Sequence, residues 1–142
     1  MVPVNYLAVL ASAVLMMALG FLWYGPLFGK TWSQLMRWSE MTPEKMKEMQ
    51  KKARPAYAAT FLGALVMSFV MSHTLIFAST YLHESGISAG LQTGFWNWLG
   101  FVVPVTIGTV FWDGKPWKLW IINAGYYLLG MLLIGVLLAL WV

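Results

Sequence analysis

Apolar and polar positions alternate along this chain over tens of residues rather than over single turns. Four long apolar stretches, Val4 to Tyr24, Ala56 to Leu82, Leu91 to Trp112 and Trp117 to Trp141, are separated by short polar segments. A hydrocarbon core of about 30 Å needs roughly 20 residues of helix, so each stretch predicts a transmembrane helix. The fold class that follows is all-α: a polytopic membrane protein with four transmembrane helices in a bundle, one integral membrane domain over residues 1–142.

Periodicity within the stretches predicts how they pack. In the second helix Ala56, Thr60, Ala64, Ser68 and Ser72 recur every four residues, a small-residue ridge that lets another backbone approach closely. In the third, Thr93, Asn97, Gly100, Pro104 and Gly108 share one face. The two ridges are expected to meet inside the bundle, with a kink at Pro104, where the missing N–H frees a carbonyl. The longest polar segment carries a helix start of its own. Thr42 is an N-cap with Pro43 at the first helical position, and Glu48 lies one turn before Lys51 and Lys52. A short amphipathic helix over about 43–53, lying on the cytoplasmic membrane surface, is expected.

Charge sets the orientation. All nine Lys and Arg residues fall in two segments, Gly25 to Pro55 and Asp113 to Lys118, and by the positive-inside rule both face the cytoplasm. The N-terminus, the His83 to Gly90 loop and Val142 then lie outside. Seven basic against three acidic residues in Gly25 to Pro55 leave a net charge of four, so Lys45, Lys51, Lys52 and Arg54 are expected to contact anionic lipid, or else serve only to fix topology. The bilayer accounts for the basic balance, and a nucleic-acid partner is not expected. The first 25 residues carry no Lys or Arg, which argues against a cleavable signal peptide. Without Cys, disulfides and thiolate metal sites are excluded.

Aromatic residues mark the expected interfaces: Trp23, Tyr24, Trp112, Trp117 and Trp120 near the cytoplasmic ends, Tyr81, Trp96, Trp98 and Trp141 near the outer ends. Gly20 to Trp32 and Gly108 to Trp117 both run from glycine through an aromatic pair to Gly-Lys-x-Trp, the trace of a parallel duplication or else only the glycine and tryptophan common at membrane exits.

Polar side chains inside the spans are the places where function concentrates in a membrane protein. His73, Asn97, Ser12 and Thr93 fall in the outer third and make a candidate polar pocket, with His73 as proton acceptor or ligand. The plain alternative is a neutral histidine bonded to a neighbouring group. Toward the cytoplasmic side Asn123, Tyr127 and Gly130 share a face of the last helix, and Tyr127 is too deep for the interfacial belt, so its hydroxyl needs a partner or a cavity. Interhelical hydrogen bonding alone explains both. His73 and His83 stand ten residues apart on one helix, too far to ligate one metal within a chain. Neither a metal nor a cofactor is expected, and no His-x-x-x-His, Gly-x-Ser-x-Gly or phosphate-binding glycine loop points to an enzyme.

Asn5-Tyr6, the run Trp23-Tyr24-Gly25-Pro26-Leu27-Phe28-Gly29-Lys30-x-Trp32, the run Gly114-Lys115-Pro116-Trp117-Lys118-Leu119 and the segment Ile122-Asn123-Ala124-Gly125-Tyr126-Tyr127 resemble the bacterial membrane family catalogued as domain of unknown function seventeen-sixty-one. The resemblance spans nearly the whole chain. It implies a small four-helix bacterial inner-membrane protein and brings no catalytic or binding residue with it. Two function classes stand open: an accessory or structural subunit that docks a larger membrane complex or a second copy of itself, and a small-solute carrier or channel built around an outward-facing pocket.

Overall fold

Asn5 starts the first helix because its side-chain oxygen accepts from the backbone N–H groups of Leu7 and Ala8, both at 3.1 Å, satisfying donors that a helix start leaves free. Its amide nitrogen donates to the carbonyl of Trp141 at 3.1 Å, so one residue caps α1 (Tyr6–Leu22) and ties it to the far end of the chain. This computed structural model describes residues 3–141; the expected outer location of Val142 lies outside them.

At Pro26, which has no N–H to give, α1 opens into a wide turn, Trp23–Leu27, in which the N–H of Phe28 reaches back five residues to the carbonyl of Trp23 at 2.9 Å. Gly25, at φ −103° and ψ −105°, leaves helical geometry altogether and redirects the chain into α2 (Gly29–Leu35). A left-handed Arg37 and a tight turn, Trp38–Glu40, lead to α3 (Pro43–Leu82).

The N-cap at Thr42 and the Glu48–Lys52 pair form as the sequence predicts. The separate amphipathic helix over about 43–53 does not, because α3 is one continuous helix of 40 residues. Pro55 sits inside it, and both Pro55 and Lys51, whose carbonyl it frees, are exposed residues; the helix is not interrupted. At 1.5 Å per residue α3 is roughly 60 Å long, about twice a hydrocarbon core.

A left-handed His83 ends α3, and only a short link separates it from α4 (Gly86–Asn97), which begins five residues before the expected Leu91. The kink expected at Pro104 takes the form of a second wide turn, Trp98–Val102, followed by the short pieces α5 (Val103–Thr106) and α6 (Gly108–Phe111). After a turn at Gly114, where φ is 63°, α7 (Trp117–Leu140) returns the length of the bundle. Among the described residues four helices are therefore long and apolar enough to cross a membrane: Tyr6–Leu27, Pro43–Leu82, Gly86–Phe111 and Trp117–Leu140. Their outward faces stay apolar, with Leu7, Val66, Phe101 and Val105 all exposed.

Packing differs from the expected meeting of the second and third helices. α3 lies chiefly on α1 and α4 chiefly on α7. Gly90 and Gly94 of α4 press directly on the backbone of α7 at Gly135 and Met131, where a Cβ would run into carbonyl oxygens. The third-helix ridge breaks at the wide turn. Thr93 and Asn97 are buried, Gly100 and Pro104 are exposed, and Gly108 is half-buried, because an extra residue in one turn rotates everything after it off the ridge. Ala64, Ser68 and Ser72 of the second-helix ridge are buried. Ala8, Ala13 and Met16 of α1, Met71 of α3 and Ile134 of α7 lie at the centre of the core.

Candidate functional site

The outer pocket expected around His73 does not assemble. The His73 ring nitrogen Nδ1 bonds the carbonyl of Phe69 one turn back in its own helix at 2.9 Å, and the imidazole lies between Phe69 and Phe77. Asn97 likewise bonds its own helix, donating to the Thr93 carbonyl at 2.8 Å. Thr93 and Asn97 line a cleft of about 150 Å³ with Thr74, Gln92 and Glu84, and His73 is not in its wall. Ser12 is fully buried in the core, where its hydroxyl has no hydrogen-bond partner among the described residues, and Ser68 shares that state.

The inner-half polar face leads to a larger feature. Asn123 of α7 accepts two hydrogen bonds on its one side-chain oxygen, from the Tyr24 hydroxyl at 3.0 Å and from the Trp32 indole N–H at 3.2 Å. Both donors come from the stretch that the wide turn at Trp23–Leu27 folds back toward α7. The Trp23 indole fixes the same corner by donating to the Ile122 carbonyl at 2.9 Å. One turn deeper, the Tyr126 hydroxyl donates to the Met16 carbonyl at 3.0 Å, and its ring meets that of Tyr24 at a tilt with centroids 5.2 Å apart. Trp32 meets Tyr24 edge-on at 5.2 Å and Trp38 edge-on at 4.9 Å. Aromatic rings thus support one another through the favoured tilted and T-shaped contacts.

These walls line an open cavity of about 820 Å³ at the basic end. α1 contributes Met17, Gly20 and Phe21, α3 contributes Tyr57 and Thr60, and α7 contributes Tyr126 and Tyr127. Lys30, Trp32 and Ser33 of α2 and Trp38 beyond it form the remaining wall. Tyr127 therefore faces a cavity, as its depth required. Gly20 keeps the floor open: a Cβ there would sit 3.3 Å from the Tyr126 hydroxyl.

Sequence reasoning found Asn123 and Tyr127 and missed Tyr24, Trp32, Trp38 and Tyr126. Trp23 and Tyr24 read as interfacial anchors because they follow an apolar run, yet both point into the bundle. Trp98 and Trp120 are likewise bonded inward, to the Ala124 carbonyl at 2.9 Å and the Thr106 hydroxyl at 3.1 Å. Trp112, Tyr81 and Trp96 do face outward. The signal available in advance was the pairing of Trp-x-Gly with a nearby proline, at Trp23 and again at Trp98, since each opens a wide turn and each indole donates to an α7 carbonyl. Lys45, Lys51, Lys52 and Arg54 lie on the projecting part of α3, away from the cavity wall.

No curated protein and no solved structure matches this chain significantly. A family model described as a protein of unknown function (DUF1761) matches residues 7–139, from the first turn of α1 to the last turn of α7. With nearly its whole length covered, and with the Trp-Tyr-Gly-Pro and Asn-Ala-Gly-Tyr-Tyr segments building one wall of the cavity, the chain belongs to the DUF1761 family of unknown function.

Proposed function

We propose that this protein is a multi-pass membrane protein of the bacterial inner membrane that binds a small amphiphile in the aromatic cavity at its basic end. The observation that carries the reading is Asn123, whose single oxygen holds Tyr24 and Trp32 together. A half-buried amide spent on fixing two aromatic walls around open space is a construction for holding a ligand, since packing alone would close the gap. The volume lies within the ordinary range for small-molecule sites, roughly 300–1,000 Å³.

The orientation that fits this role puts Lys30, the α3 extension and Lys115 on the cytoplasmic side and both chain ends outside. Lys45, Lys51, Lys52 and Arg54 then project beyond the hydrocarbon, within reach of anionic headgroups. The reading is of binding or carriage rather than catalysis. It replaces the outward pocket around His73 and Asn97 as the place where a solute enters. The test is purification in mild detergent from the native membrane, followed by mass spectrometry under conditions that retain ligands. A bound small molecule that is lost in Thr60→Phe, which fills the cavity from α3, is the expected result. A stoichiometric larger protein with no small molecule would instead support an accessory subunit.

A further inference from the structure

We propose that the ligand is a lipophilic oxyanion, a hydrophobic body bearing one carboxylate or phosphate, and this rests on reading the aromatic cavity as a ligand site. The polar atoms of the wall are unequal. The hydroxyls of Tyr24, Ser33, Thr60 and Tyr126 already donate within the protein, to Asn123 and to backbone carbonyls. The hydroxyls of Tyr57 and Tyr127 belong to exposed residues and can be met by water, which leaves two N–H donors that are not committed in this way. The Lys30 ammonium carries the only charge among the described residues that line the cavity, and the Trp38 indole N–H is buried with no acceptor among the described residues. A buried donor without a partner is costly, and an oxygen of the ligand removes that cost.

Charge decides between ligand classes. Aromatic faces alone would favour a cation, but no carboxylate is present in the wall to neutralise one, and Lys30 repels it. An anionic head gains from both donors, because hydrogen bonds to ionised groups are the stronger ones. The hydrophobic body is accommodated by Met17, Phe21 and the ring of Tyr57, which form the apolar side toward α3. Head at Lys30 and Trp38, body toward Phe21 and Tyr57, is the pose the wall dictates.

The experiment is tryptophan quenching of the full-length protein in neutral maltoside detergent. Probes are dibromostearate and its methyl ester, with dodecyl phosphate, inorganic phosphate and tetraphenylphosphonium as competitors. Saturable quenching by the acid, about tenfold weaker for the ester, is expected. Lys30→Gln should weaken the acid about tenfold while leaving the ester unchanged. Dodecyl phosphate should displace the acid, whereas inorganic phosphate and tetraphenylphosphonium should not. Displacement by inorganic phosphate would make this a site for free anions and overturn the lipophilic class. If acid and ester bind equally, or tetraphenylphosphonium competes, and binding is still lost in Thr60→Phe, the site stands and the anionic class is wrong. Quenching that never saturates and is the same in Thr60→Phe would overturn the site as well.

Discussion

Asn123 is the residue on which most of the site's geometry depends. Its oxygen accepts from Tyr24 and Trp32 at a half-buried position, where each bond contributes about 0.5–1.5 kcal/mol net and an orphaned donor costs more. Asn123→Leu is therefore expected to lower stability by about 1–3 kcal/mol and to shift tryptophan emission to the red as Trp32 is released. Thermal unfolding and fluorescence in detergent check both; an unchanged spectrum would mean the two rings are held by packing alone. Ser12 and Ser68 make the opposite case. Their hydroxyls are fully buried with no partner among the described residues, so replacing either by Ala removes a polar atom and little volume. Each variant should unfold at the same temperature as the parent or above it, and a clear drop would show that these hydroxyls have partners in the membrane. Sequence alone placed Ser12 in a candidate polar pocket and Ser68 on a small-residue packing ridge but could not tell an orphaned hydroxyl from a bonded one, because that depends on which carbonyl lies within reach.

At the scale of elements, two close approaches and two wide turns organise the bundle. Gly90 and Gly94 let α4 touch the backbone of α7, and any Cβ there meets carbonyl oxygen, whereas Gly63 of α3 has open space around it. Gly94→Val should cost about 3 kcal/mol or more through forced separation of the helices, while Gly63→Val should stay near parental stability. Chemical unfolding of the pair in detergent reads the difference; equal losses would refute the seam. The four spans were legible in the sequence because twenty-residue apolar runs have few alternatives. Their pairing was not, since the small-residue ridges of the second and third stretches mark faces that pack, and periodicity does not say which helix each face meets. The continuation of α3 through Pro55 was hidden for a related reason. Polar composition over 43–55 separates it from the span in any hydropathy profile, although the backbone runs on as one helix. Trypsin under limiting conditions tests this: first cleavage is expected after Lys30 or Arg37, near the left-handed break, and rapid cutting at Lys51 or Lys52 would indicate a hinge there.

For the whole molecule, antiparallel registers carry the account. Asn5 meets Trp141, Met16 meets Gly130, Gly20 meets Tyr126 and Trp23 meets Ile122, so α1 lies along α7 over the whole of its own length. The first wide turn ends that pairing at the basic end and folds α2 under it, leaving the aromatic cavity between α1, α3 and α7. Half of the candidate site was readable beforehand: the depth of Tyr127 and Asn123 in their helix demanded partners. The other half, Trp32 and Trp38, sits in a segment that reads as a polar loop and is brought inward only by the turn at Gly25. Because the chain has no Cys, single substitutions report position cleanly.

The measurement that tests the account most directly is the reaction of Tyr127→Cys and Leu129→Cys with a membrane-impermeant thiol reagent applied from the cytoplasmic side. Both parent side chains are 37% exposed and lie two residues apart in depth, but only Tyr127 lines the cavity. Rapid labelling of the cysteine at 127, slow labelling at 129, and protection of 127 by dibromostearate are predicted. Equal rates at the two positions, or labelling of 127 only from the opposite side, would contradict a ligand cavity open at the basic end.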